Sequence, residues 1–266
     1  VGSRDETGDQ QGMAHFIEHM LFKGTGKRRS AQIINRLEDV GGELNAYTSK
    51  EETVIYAGFL SEYTERTIEL IADLIQHSTF PEAEVEKELV VIQDEIKSYK
   101  DIPAELIYDD FEEMLFDSNP MAHNVLGKNE NLETFTAKDA LEFYHTFYQP
   151  ENMVFFSVGN TDLKKIIRWV TRYFNFQKNG FADHVRTAPQ IPVKQHKIVS
   201  RDTHQVHCLM GARSYDIYHP ERMTMYLLNN ILGGPGMNSL LNLSLRERNG
   251  LVYSVESTFQ PFTDCG

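Results

Sequence analysis

His15-Phe16-Ile17-Glu18-His19 sets two imidazoles four residues apart, with a glutamate between them. On a helix, positions i and i+4 stand one above the other, so both rings can reach one metal ion. Glu18, three residues after His15, falls on the same side and can hold a proton beside that metal. Around these polar residues the sequence is almost continuously apolar: Met13, Phe16, Ile17, Met20, Leu21 and Phe22. A helix that is apolar nearly all round is a buried helix. Two histidines and a glutamate there are costly unless something satisfies them, and a metal does so. The plain alternative, a surface helix with two histidines by chance, fits that apolar surround less well.

Zinc in a catalytic site takes three protein ligands and leaves one position open. The order H-x-x-E-H is a zinc-peptidase signature, and a carboxylate commonly completes such a pair of histidines. The segment PEAEVEKELVVIQDEIKSYK, residues 81–100, supplies candidates. Pro81 suits a first helical turn, acidic residues crowd that turn, and Lys97 and Lys100 sit near its end, as the helix dipole favours. Glu88 and Glu95 are two turns apart and project in nearly the same direction. Both lie on the apolar stretch bearing Leu89, Val90, Val91, Ile92 and Ile96. Helix carboxylates are ordinarily solvated, which suits Glu82, Glu84 and Glu86 better than this pair.

On these residues the chain resembles the insulinase, pitrilysin and mitochondrial processing peptidase family of zinc metallopeptidases. The family's third ligand is a glutamate about 76 residues beyond the second histidine, and 76 residues beyond His19 stands Glu95. A further glutamate seven residues earlier supports the family's site, and Glu88 stands there. The resemblance implies one zinc ion per chain on His15, His19 and Glu95, with Glu18 as general base and Glu88 assisting.

Leu245-Arg246-Glu247-Arg248-Asn249-Gly250-Leu251-Val252-Tyr253 is similar to the family's second signature. There an arginine and a tyrosine, here Arg246 and Tyr253, reach the bound peptide. A guanidinium and a phenol are donors suited to charge developing on a scissile carbonyl. Without the resemblance, Arg246 reads as a solvated helix charge and Tyr253 as a strand aromatic. Glu43-Leu44-Asn45-Ala46-Tyr47-Thr48 resembles the family's edge strand, which implies main-chain pairing with substrate at Asn45 and Ala46. One departure stands out: the loop Gly233–Gly236 leads to Ser239-Leu240-Leu241, where family members often carry Ser-Arg-Leu. No Gly-Lys-Ser/Thr follows that loop, so a helix-to-helix turn is expected rather than a phosphate site.

Composition bounds the rest. With 39 acidic and 26 basic residues the net charge is −13, which argues against nucleic acid as a partner. No apolar run reaches membrane-span length. Two cysteines, Cys208 and Cys265, make no disulfide framework, so a reducing compartment, the cytoplasm, is expected. The opening Val1-Gly2-Ser3-Arg4 reads as the end of a strand rather than a natural start, which leaves a periplasmic or organellar location open. The remaining histidines, including His77, His123, His184 and His219, have no ligand-like neighbours in sequence.

Helical spacing is expected around Ile33 to Val40 (closed by Gly41-Gly42), from a Ser61 cap through Ile75, at 103–116, 137–148 and 162–174. Strands are expected at 43–48, 53–60 and 152–159, the last buried. The mixture without strict alternation favours α+β. Ala188-Pro189-Gln190-Ile191-Pro192 reads as a boundary. Beyond it the order strand, helix, helix, strand recurs over 205–213, 221–232, 238–248 and 251–259, which suggests an internal duplication. The expected architecture is two similar α/β-sandwich halves, as in processing peptidases. Residues 1–190 form the zinc-binding half, and 191–266 begin a homologous half that is incomplete here.

The expected function is a zinc-dependent metalloendopeptidase acting on peptides or unfolded segments held extended, with a homodimer compatible. The alternatives are a non-catalytic structural subunit of the same family, or one subunit of a hetero-oligomeric processing peptidase. All four zinc-site residues being present weighs against the first, and Arg246 and Tyr253 in the same chain against the second.

Overall fold

Helix α1, Met13–Leu21, buries every residue except Glu18 and His19, as its apolar surround requires. The computed structural model from which this is read describes residues 1–176, 185–191 and 194–266. Pro192 of the expected boundary and His184 lie outside the described residues. Helix α2 (Ser30–Glu38) follows, and then an antiparallel pair, β1 (Glu43–Thr48) and β2 (Thr53–Gly58). The register sets Asn45 opposite Tyr56 and Thr48 opposite Thr53. Along β1 the residues alternate between exposed and half-buried, so Leu44, Ala46 and Thr48 face inward.

Helices α3 (Thr64–His77), α4 (Glu82–Lys100), α5 (Pro103–Phe116), α6 (Asn129–Leu132), α7 (Ala137–Phe147) and α8 (Leu163–Tyr173) complete the first part of the chain. Helix α4 buries Val85, Glu88, Ile92 and Ile96, one stripe at helical spacing. With Phe16, Ile17 and Met20 of α1 and Phe143 and Tyr144 of α7, that stripe forms the main core. Ile33 and Leu37 of α2 pack on Leu70 and Leu74 of α3 in a second cluster beneath Leu44 and Ala57.

Two local expectations are corrected. Ser61 does not cap α3 with its side chain; it opens a 3₁₀ turn, Ser61–Tyr63, whose Ser61 carbonyl accepts from the Thr64 hydroxyl at 2.7 Å. The strands expected at 152–159, 205–213 and 251–259 are not formed: among the described residues the sheet contains β1 and β2 only. Val154 is 94% exposed and Val158 83%, so the first of these segments is not buried either. Apolar and β-branched content gives a segment an inclination to pair, but a strand exists only where tertiary structure supplies a neighbouring ladder.

Helix α9 (Arg222–Gly233) ends at the glycine loop, which is the helix-to-helix turn expected. The next helix is π-helical over Asn242–Arg248. Phe262 and Cys265 pack on Phe116 and Met121. Beside them, Arg4 is 3% exposed and forks onto Asp264 at 3.0 and 2.9 Å, with Glu51 at 2.5 Å. Arg186 forks onto Asp5 at 2.8 Å through two nitrogens. These ion pairs join the chain start, the β1–β2 turn, Arg186 and Asp264.

Candidate metal centre

The i,i+4 spacing stacks His15 over His19 on α1, and their Nε2 atoms converge to 3.2 Å. Helix α4 brings Glu95 to the same point, with its Oε2 3.7 Å from His19 Nε2 and 3.9 Å from His15 Nε2. Among the described residues these three form the one group whose ligand atoms could share a metal ion. Zinc binds nitrogen at about 2.1 Å in a tetrahedron, which separates neighbouring ligand atoms by about 3.4 Å. The three observed separations bracket that value, so the residues fit the ion.

The protonation states agree. His19 Nδ1 lies 2.8 Å from Glu88 Oε1, and donation there leaves the lone pair on Nε2, toward the ligand cluster. Burial, and then the neighbouring His19, push His15 down to about 3, so its ring is neutral and able to ligate. The His15 Nδ1 atom is buried with no hydrogen-bond partner among the described residues, so the polar contacts of that ring are made through Nε2. Glu88 is 5% exposed and also accepts from Lys23 Nζ at 2.5 Å. Glu95 is exposed, at the open side of the cluster.

Glu18 stands between the histidines in sequence but outside the cluster of ligand atoms. Its Oε2 accepts from Thr48 Oγ1 at 2.6 Å. Burial raises its pKa, and the Thr48 hydrogen bond opposes the rise. At the start of α1, Glu6 accepts from the N–H groups of Gly12 at 2.9 Å and Ala14 at 2.8 Å, occupying donors that a helix N-terminus leaves free.

The remaining expected residues fall into two groups. Asn45 and Ala46 sit on β1, whose other edge carries no strand among the described residues; the Ala46 N–H donates to Asn45 Oδ1 at 2.9 Å. Arg246 and Tyr253 line one cleft with Gly233, Pro235 and Glu256, and among the described residues no hydrogen bond or ion pair links either to the histidine cluster. His77 pairs with Asp73 at 3.2 Å and His219 stacks on Tyr215, and neither belongs to a group that could share a metal ion among the described residues. Reading the sequence missed Glu6, Lys23 and Thr48. Of these, Thr48 left a signal, as a polar residue on the inward side of an alternating strand.

Comparison with known proteins gives the family and the fold. Residues 1–129 match the family described as insulinase, peptidase family M16, and residues 134–266 match the peptidase M16 inactive domain. No H-x-x-E-H recurs in the second span. An uncharacterised zinc protease of Rickettsia bellii is 35% identical over 266 residues, covering 100% of this chain and 64% of its own. A second, from Bacillus subtilis, is 33% identical over 269 residues with the same coverage of 100% and 64%. The chain thus spans about 64% of the length of these relatives. Among solved structures, a protease from Helicobacter pylori superposes with a TM-score of 0.90 at 22% identity, over 100% of this chain and 65% of that one. A peptidase M16 inactive domain from Pseudomonas fluorescens gives 0.82 at 20% identity, over 98% and 64%. The fold is α+β with the two-domain architecture of these neighbours, and the chain belongs to the insulinase family, peptidase family M16.

Proposed function

We propose that the chain carries the catalytic centre of a zinc-dependent metalloendopeptidase acting on peptides or unfolded segments held extended. The observation that carries this reading is the convergence of His15 Nε2, His19 Nε2 and a Glu95 carboxylate oxygen within 4.8 Å, with a second carboxylate, Glu18, close enough to interact with His19 and Glu95. His15, His19 and Glu95 would hold one zinc ion. When bound, zinc polarises the scissile carbonyl and acidifies water.

The chain's own residues do the rest. Glu18 takes a proton from the attacking water at its carboxylate and later delivers it to the leaving amine nitrogen. Glu88 keeps His19 in the tautomer that ligates, and Lys23 occupies the other oxygen of the Glu88 carboxylate. The unpaired edge of β1 supports β-addition of an extended peptide at Asn45 and Ala46. In that event Asn45 releases the Ala46 N–H to the substrate. Arg246 and Tyr253 in a shared cleft support a second grip on the peptide, and Tyr253 is a donor for the developing oxyanion. The description "inactive domain" attaches to residues 134–266, which hold none of the four zinc-site residues. Among the described residues no helix is long and apolar enough to cross a membrane.

Glu18→Gln tests the reading, since it removes the base and keeps the shape. Peptide-library cleavage should fall roughly 10²- to 10⁴-fold with zinc still stoichiometric. Retained cleavage with zinc bound overturns it.

A further inference from the structure

The structure assigns to Thr48 the positioning of Glu18, an inference that rests on the peptidase reading above. The hydroxyl of Thr48 donates to Glu18 Oε2 at 2.6 Å, and it is the side-chain hydrogen bond that Glu18 makes among the described residues. An ionised carboxylate can only accept, and a threonine hydroxyl has one proton, so the direction of this bond is set. Without it, Glu18 is a long, half-buried side chain with three rotatable bonds on the open side of α1.

The donor itself is held rigidly. Thr48 ends β1 opposite Thr53, and the two hydroxyl oxygens lie 3.3 Å apart. Thr53 in turn donates to the Val1 carbonyl at 2.9 Å, so its own proton is engaged away from Glu18. A β-branched residue in a strand has little χ1 freedom, which keeps the Thr48 oxygen facing α1. The turn that follows is pinned on several sides. The Ser3 N–H donates to the Ser49 carbonyl at 3.1 Å and the Arg4 N–H to the Lys50 carbonyl at 2.9 Å. Lys50 Nζ pairs with Glu112 at 2.9 Å, and Glu51 accepts from Thr263 N at 2.9 Å and Oγ1 at 2.6 Å. The strand end is therefore a fixed point from which one hydroxyl reaches the base.

Positioning of this kind acts on turnover rather than on binding. A carboxylate that swings by about 1 Å can cost on the order of 100-fold in rate. Thr48→Val keeps the branched shape and the strand propensity and deletes the donor; Thr48→Ser keeps the donor. In the intact zinc-loaded protein, Thr48→Val should lower kcat roughly 10- to 100-fold. KM, zinc stoichiometry and Tm should match the wild type, and Thr48→Ser should restore kcat to within about threefold. If the wild type is inert with zinc bound, the peptidase reading falls and this assignment with it. If the wild type cleaves and Thr48→Val keeps its kcat, the assignment to Thr48 alone is overturned. A loss of zinc or Tm in step with kcat, or a Thr48→Ser variant as slow as Thr48→Val, likewise overturns it, because Thr48 would then act through structure.

Discussion

Glu88→Gln should weaken zinc binding about tenfold, by a route the hydrogen bonds make explicit. The Glu88 carboxylate accepts on both oxygens, from His19 Nδ1 at 2.8 Å and from Lys23 Nζ at 2.5 Å. An amide has one acceptor and one donor, so it cannot serve both. With its carbonyl toward His19, the NH₂ group meets the Lys23 ammonium, donor against donor. With its carbonyl toward Lys23, the NH₂ group faces His19 Nδ1, and the ring must move its proton to Nε2, the atom that would ligate. Loss of such a supporting carboxylate generally costs 10- to 100-fold in metal affinity, about 1.4 to 2.7 kcal/mol. Lys23 is 26% exposed and can swing into water, so the lower end of that range applies. Competition of wild type and variant against a chromogenic chelator measures the difference directly. Adding Lys23→Met to the variant should recover part of the affinity, since the first amide orientation is then unopposed. A zinc Kd within twofold of wild type in Glu88→Gln refutes the reasoning, because the tautomer of His19 would not depend on Glu88.

Arg4→Met should destabilise the fold by about 3 to 5 kcal/mol in urea denaturation, because the Arg4 side chain is 1% exposed and its loss strands Asp264; a change below about 1 kcal/mol refutes this. The zinc-free protein should lose stability as pH falls. His15 is held near 3 when folded and rises to its ordinary 6.5 when unfolded. The contribution of that depressed pKa is thus complete above 6.5 and lost as pH falls toward 3, by up to about 5 kcal/mol; melting temperature against pH, compared with His15→Phe, reads it. Gly127→Ala should lower Tm measurably. Gly127 has φ +78, and a Cβ there would strike the Gln11 carbonyl and Gly12 Cα at the entry to α1; an unchanged melting curve would refute this.

Much of the centre was legible in order along the chain because helices impose a fixed spacing. His15 and His19 had to share a face, and Glu88 and Glu95 had to share another, whatever the rest of the molecule did. The apolar residues around them announced a buried α1, and Met13–Leu21 is buried as announced. The segments 152–159, 205–213 and 251–259 were less legible. Their apolar and β-branched residues resemble strands, yet a strand is a relation between segments and no local pattern supplies the second one.

What the sequence determined by itself was which side chains can act together within one helix: two imidazoles and a glutamate on α1, two carboxylates on α4. That these helices meet, bringing Glu95 to His15 and His19 and setting Glu88 behind His19, follows from packing between elements. Only the tertiary structure put Thr48 of β1 against Glu18, 30 residues away, and Lys23 against Glu88. The physical reason is one of range. Backbone geometry fixes neighbours over three or four residues, whereas contacts between elements follow from how a shared core is packed.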